Sequence, residues 1–204
     1  MPFFQKLMSV LALTVSAMVA VTVGAYAQSS TEQDTNTGAG DLAMGEEVSD
    51  EPQVGDTYIK EQFGDWSLRC IVVAEGDDPC QMYQLLADQN NSPIAEFTMF
   101  KLSESNPAAA GATIVVPLET ALQEQLSIQV DDQTAKRYPF AFCNTVGCYA
   151  RIGLTNEDVE SYKRGSEAVL SIIPMAAPDQ RVNVSMSLTG FTAALEQVSV
   201  INQP

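Results

Sequence analysis

The stretch that most constrains this chain runs from Pro139 to Leu154. It reads Pro139-Phe-Ala-Phe-Cys143, then Asn-Thr-Val-Gly, then Cys148-Tyr-Ala-Arg-Ile-Gly-Leu154. Two apolar runs of strand composition flank a loop bounded by cysteines, with Gly147 just inside its end. This predicts a β-turn region pinned by a short disulfide, with both arms buried in one sheet.

A pinned loop of this kind needs an oxidising compartment, and the N-terminus points to one. Lys6 precedes an apolar stretch from Leu7 to Val23, and Ala25-Tyr26-Ala27 gives the small-x-small pattern of a signal-peptidase site. That order is a secretory leader over residues 1–27. As a membrane anchor, the apolar stretch sits at the lower length limit of about 17 residues, and Ser9, Thr14, Ser16 and Thr22 dilute it. No cysteine lies near the cleavage point, so no lipoprotein anchor is indicated.

All four cysteines, Cys70, Cys80, Cys143 and Cys148, follow the leader. An even count in an exported chain predicts two disulfides, and three pairings are possible. The chain-entropy model gives about 2.8 kcal/mol for 70–80, about 2.2 for 143–148 and about 4.3 for a long-range 80–143 link. Stability therefore does not choose between them. Each close pair brackets Gly or Pro, where the chain folds back easily, which favours 70–80 with 143–148 and leaves the other pairings open.

Between Gln28 and Pro52 there is no basic residue and no long apolar run, while Glu32, Asp34, Asp41, Glu46, Glu47, Asp50 and Glu51 supply acid. Such composition cannot bury enough surface to offset chain entropy, so residues 28–57 are expected to be an acidic disordered linker. The folded domain is expected over residues 58–204, enough chain to bury about 70% of its unfolded surface.

Within it, short apolar runs alternate with turns. Strands are predicted over 65–73, 80–86, 94–100, 113–116 and 126–130, along both arms of the opening stretch, and over 168–173 and 181–188. Val182, Val184, Met186 and Leu188 give the cleanest alternation. Ser103–Ala112 reads as a loop, and Leu118–Gln125 as a helical turn or irregular crossing. Thr155 with Glu157 and Asp158 reads as the N-cap of a short helix ending before Gly165, and Thr192–Val198 as a final turn or two of helix. The fold class is all-β, an antiparallel β-sandwich or partly open barrel with one or two short helices and two local disulfides. The immunoglobulin pattern is not met, because Trp66 precedes the first cysteine.

The residues offer little chemistry. The chain has no histidine, which removes Ser-His-Asp and Cys-His catalysis and the commonest zinc ligand together. No nucleophile elbow, Walker loop or dinucleotide glycine pattern occurs. No cofactor or metal is expected. Cys143 and Cys148 are too far apart for a Cys-x-x-Cys redox centre. Glu75, Asp77 and Asp78 lack the spacing of a calcium loop and read as a solvated acidic turn, as do Asp131 and Asp132. Trp66, Tyr83 and Tyr149 read as core or half-buried strand residues before they read as a stacking platform. With 26 acidic against 10 basic side chains, the surface repels phosphate backbones, so nucleic acid is not an expected partner. Docking on anionic lipid through charge alone is disfavoured for the same reason.

Three groups of residues carry a resemblance. Phe63-Gly-Asp-Trp66 is followed by Cys70 and Cys80, and Phe140 and Cys143 by Gly147-Cys148. Ser187-Leu-Thr-Gly190-Phe191 leads into Ala193-Ala194-Leu195. In order and spacing, over about Gln62 to Val198, the chain resembles the invasion-associated locus B family, exported proteins of Gram-negative bacteria. The resemblance implies a periplasmic or envelope-associated all-β domain with neighbouring cysteines paired. In some intracellular pathogens it also implies a link to host-cell entry. It implies no catalytic residues. The acidic segment ahead of Tyr58 departs from the family pattern.

The function expected on these grounds is that of a non-enzymatic envelope protein binding an unknown protein or envelope component, with no stable membrane insertion once the leader is removed. The alternative is a carboxylate-based hydrolase acting on envelope polysaccharide or peptide, which needs a cleft with two acids and aromatic rings. A chaperone-like module is the third reading and needs an exposed sheet edge or apolar patch.

Overall fold

The computed structural model describes residues Glu51–Ile201. The expected leader, and the acidic segment as far as residue 50, lie outside the described residues. Twelve strands and two helices follow one another: β1 Thr57–Phe63, β2 Trp66–Ile71, β3 Cys80–Ala87, β4 Pro93–Leu102, β5 Ala110–Val116, β6 Leu126–Val130, β7 Lys136–Tyr138, β8 Phe142–Cys143, β9 Cys148–Leu154, α1 Asn156–Arg164, β10 Glu167–Ile172, β11 Val182–Ser187, α2 Phe191–Gln197 and β12 Val200–Ile201. A 3-10 turn at Leu122–Glu124 occupies the crossing expected before β6.

The strands form two sheets, and neither closes into a barrel. The larger runs β1-β2-β3-β4-β5-β9-β8, with β12 added to the end of β4; the smaller runs β11-β10-β6-β7. Every pairing is antiparallel except that of β12 with β4. Alternation decides which side chains meet between the sheets. Trp66, Leu68, Met82, Leu86, Phe97, Met99 and Ile114 point inward from the large sheet, and Leu126, Ile128, Leu170, Val184 and Met186 face them from the small one.

α1 begins where the sequence places it. The Thr155 hydroxyl accepts from the Asp158 backbone N–H and the Asp158 carboxylate accepts from the Thr155 N–H, a reciprocal capping box. Burial works against the charge on Asp158, but Lys136 and the two Thr155 donors outweigh it and hold the carboxyl below its ordinary value. Tyr162 and Phe191, one from each helix, stack at 5.5 Å and cover one end of the core. Burial pushes the Tyr162 hydroxyl far above the phenol range.

Both disulfides are the local ones, Cys70–Cys80 and Cys143–Cys148, and among the described residues no cysteine is free. Each joins residues directly opposite one another in adjacent strands. They differ in setting: Cys70 and Cys80 are both buried, whereas Cys143 is exposed and Cys148 buried.

The structure corrects two expectations. The first arm of the 139–154 stretch is not buried, because it ends in a two-residue edge strand and Phe142 turns outward, 48% exposed. The loop expected through Ala112 ends earlier, at β5. Pairing with β4 on one side and β9 on the other draws Ala110-Gly111-Ala112 into the middle of the sheet.

Candidate functional site

Two of the three residue groups behind the family resemblance, residues 63–66 and 187–191, meet at the seam between the sheets. Ser187 at the end of β11 is gripped from the large sheet by two side chains. Its carbonyl accepts from Trp66 Nε1 at 3.0 Å and from Gln84 Nε2 at 3.0 Å, and its N–H donates to Gln84 Oε1 at 2.9 Å. Gln84 is thereby buried with its amide satisfied. Trp66 packs edge-on against Phe97 and Phe191 at 5.8 and 5.5 Å, contacts worth about 0.5–1.5 kcal/mol each beyond area burial.

Beside this grip, the turn at Phe63-Gly64 presses on Thr189-Gly190. Both glycines are left-handed, at φ +59° and +86°. A Cβ on Gly190 would lie 1.9 Å from the Phe63 carbonyl oxygen, and one on Gly64 would lie 2.5 Å from that of Thr189. These motifs hold the sandwich together and offer no open chemistry.

Open chemistry lies on the opposite side of the large sheet. Among the described residues its outer face is covered neither by the small sheet nor by a helix, and register assembles its residues. One row crosses five strands as Ser67, Tyr83, Thr98, Thr113 and Arg151. A neighbouring row carries Leu85, Glu96, Val115, Tyr149 and Phe142. At ~4.8 Å per strand, the five-strand row spans about 19 Å.

Arg69 lies over the Tyr83 ring, its guanidinium carbon 4.1 Å from the centroid, and donates to Thr98 Oγ1 at 3.2 Å. Partial burial, then the nearby Glu96 carboxylate, raises the Tyr83 hydroxyl above its ordinary value, with Arg69 opposing. The Phe100 ring lies over Gly111, where a Cβ would stand 2.5 Å from the ring edge; only glycine leaves room for this placement. Neither Arg151 nor Glu96 forms a side-chain hydrogen bond or ion pair with another described residue; the described ion pairs are Lys136–Asp158 and Lys163–Glu160.

Three shallow depressions join along this face. The central one, about 460 Å³, is lined by Arg69, Glu96, Phe100, Thr113, Tyr149 and Arg151 among others. A second of about 380 Å³ shares Phe100, Thr113 and Arg151. A third of about 270 Å³ shares Glu96 and Val115 and is otherwise apolar, with Leu85, Ile94 and Val146.

Val146, 73% exposed, is carried by the Cys143–Cys148 loop. Asn144 shapes that loop: its Oδ1 accepts from the Val146 and Gly147 N–H groups at 2.8 and 3.3 Å, and its Nδ2 donates to the Tyr149 hydroxyl at 3.3 Å. Phe142 stacks on Tyr149 at 4.7 Å. The staple thus fixes an apolar knob at one end of the groove.

The other residues weighed from the sequence fall elsewhere. Trp66 is wholly core, whereas Tyr83 and Tyr149 are half-buried on the outer face. Asp78 is taken up by its own turn. It accepts from the Val73 N–H at 3.0 Å and then from the Tyr58 hydroxyl at 2.8 Å, which together hold it below the usual carboxylate range. Asp131 accepts from the Ser166 and Glu167 N–H groups. Among the described residues no group of three or more side chains of metal-ligating type converges. The joined depressions bring together one carboxylate, Glu96, where the hydrolase alternative needs two.

A model of the invasion-associated locus B protein family matches residues 66–199. The chain belongs to that family. Invasion protein B homologues from two strains of Brucella abortus are each 23% identical over 152 residues, which cover 73% of this chain and 84% of theirs. The crystal structure of invasion associated protein B from Bartonella henselae superposes with a TM-score of 0.56 at 20% identity, covering 67% of this chain and 93% of that one. That likeness establishes the shared fold. Among the described residues no helix is long and apolar enough to cross a membrane.

Proposed function

We propose that this member of the invasion-associated locus B family is an exported, non-enzymatic envelope protein. It works by binding a macromolecular partner on the outer face of its large sheet and contributes in that way to contact with a host cell. The observation that carries the reading is the make-up of that face. Arginine, tyrosine and phenylalanine occupy outward positions where a merely solvated sheet needs only short polar side chains. These residue types are enriched at the centres of protein interfaces.

Two disulfides that use all four cysteines support a life in an oxidising compartment. The leader read from residues 1–27 supplies the route, and the names of the family's members supply the setting.

Fractionation of the producing bacterium tests this reading. A processed chain with both disulfides intact is expected in the periplasmic or envelope fraction. An unprocessed, reduced chain in the cytosol would defeat the reading. A strain carrying Arg69→Glu with Arg151→Glu is expected to keep normal protein levels and processing while losing partner binding in envelope extracts; undiminished binding moves the site off this face.

A further inference from the structure

Resting on that reading of the outer face, we infer the chemistry of what binds there: a polypeptide segment that sets carboxylates beside an aliphatic side chain. The argument begins with charge. The chain carries 26 acidic side chains against 10 basic ones, and two of those ten, Arg69 and Arg151, share this one face. Among the described residues Arg151 is exposed with no hydrogen-bond or ion-pair partner, and Arg69 is engaged only by a hydroxyl and a ring. Both line the central depression, where they offer charge-assisted hydrogen bonds to an incoming carboxylate.

Glu96 lines the same depression and narrows the choice. A polyanion such as a phosphate backbone, a sulfated glycan or an anionic lipid surface brings negative charge to every position and meets Glu96 unfavourably. A polypeptide of mixed composition places carboxylates on the arginines and an amide or a cation at Glu96. The apolar lobe completes the pattern. Leu85 and Val146 are 51% and 73% exposed, and with Ile94 they make a dimple of about 270 Å³, roomy enough for an aliphatic side chain and open to the surface. The depressions are shallow, which suits a segment laid across the sheet and not a buried acyl chain. Because the Cys143–Cys148 staple holds Val146 in place, the apolar lobe depends on that disulfide.

The test uses the oxidised full chain and a displayed random peptide library of about twelve residues, which at ~3.3 Å per residue is long enough to cross the face. Peptides combining Asp or Glu with Leu, Ile or Val are expected to be enriched. Their affinity is expected to fall about tenfold with Arg151→Glu, less with Arg151→Gln, and severalfold with Val146→Asp. Arg181→Glu, at an exposed position outside the groove, is expected to leave it unchanged. Near-UV circular dichroism confirms that each variant is folded.

Enrichment of basic peptides, no enrichment, or binding indifferent to Arg151 overturns the inference. So does Arg151-dependent binding of phosphatidylglycerol vesicles or heparin in the absence of peptide binding, which would assign the face to a lipid or a polyanion. If such a failure accompanies an exported and oxidised protein, only the partner chemistry falls. If the protein is found reduced in the cytosol, the functional reading falls whatever peptides it binds.

Discussion

At the seam between the sheets, Trp66, Gln84 and Ser187 satisfy one another's polar atoms, and Gly64 and Gly190 leave no room for a methyl group. On the reverse side of the same β2, β3 and β4, Arg69 lies across a ring and Glu96 has no partner among the described residues. Every buried side-chain polar atom described has a hydrogen-bond partner, so unpaired groups among the described residues are left to exposed positions such as this face. Satisfied, close-packed groups are what a fold needs, and unsatisfied ones ready for desolvation are what a partner needs. Two of the three motifs that reveal the family lie in the first region, and the groups proposed to meet a partner lie in the second. Family membership therefore identifies the scaffold far better than it identifies the ligand.

The largest effect is expected at the seam. Gly190→Ala places a Cβ against the Phe63 carbonyl from a left-handed backbone and is expected to cost about 3–5 kcal/mol, read as a drop in the midpoint of urea unfolding. A loss under about 1 kcal/mol would mean that the two turns separate without penalty, and the contrast with the outer face would collapse.

The disulfides divide along the same line. Replacing Cys70 and Cys80 by Ala is expected to cost about 3 kcal/mol, because the pair is buried beside the core. Replacing Cys143 and Cys148 is expected to cost about 2 kcal/mol, and it should also loosen the Val146 loop, seen as faster amide exchange at Val146 and Gly147. Equal stability losses with no change in exchange would erase that distinction.

The smallest effect is expected on the outer face. Arg151→Gln should shift stability by less than about 0.5 kcal/mol, since it breaks no side-chain hydrogen bond or ion pair with a described residue. A larger loss would show that this arginine serves the fold.

Much of the scaffold was legible in the sequence. Inward positions of β2, β3 and β11 announce themselves by alternation, and Thr155 with Asp158 announces α1. β1 was missed because Lys60, Glu61 and most of its other side chains are exposed at a sheet edge, leaving no period-2 signal. β5 began earlier than expected because its Ala-Gly-Ala start owes its strand conformation to neighbours on both sides. The outer face was hidden for a different reason. Tyr83, Thr98, Thr113 and Arg151 come from four strands, and only register places them in one row. One clue was available: β2, β3 and β9 put Arg69, Tyr83, Tyr149 and Arg151 at outward positions, whereas β11 puts Asn183 and Ser185 there.

The grip on Ser187 has a consequence for the order of events when the chain folds. Trp66 and Gln84 reach a residue 121 and 103 positions away, whereas the cysteine partners are separated by only 10 and 5. Closing long loops is slow and goes unrewarded until the far contact forms. The hairpins should therefore be oxidised early and the two sheets should dock late. Trp66 is the only tryptophan, and its fluorescence in a refolding experiment should lag behind disulfide formation.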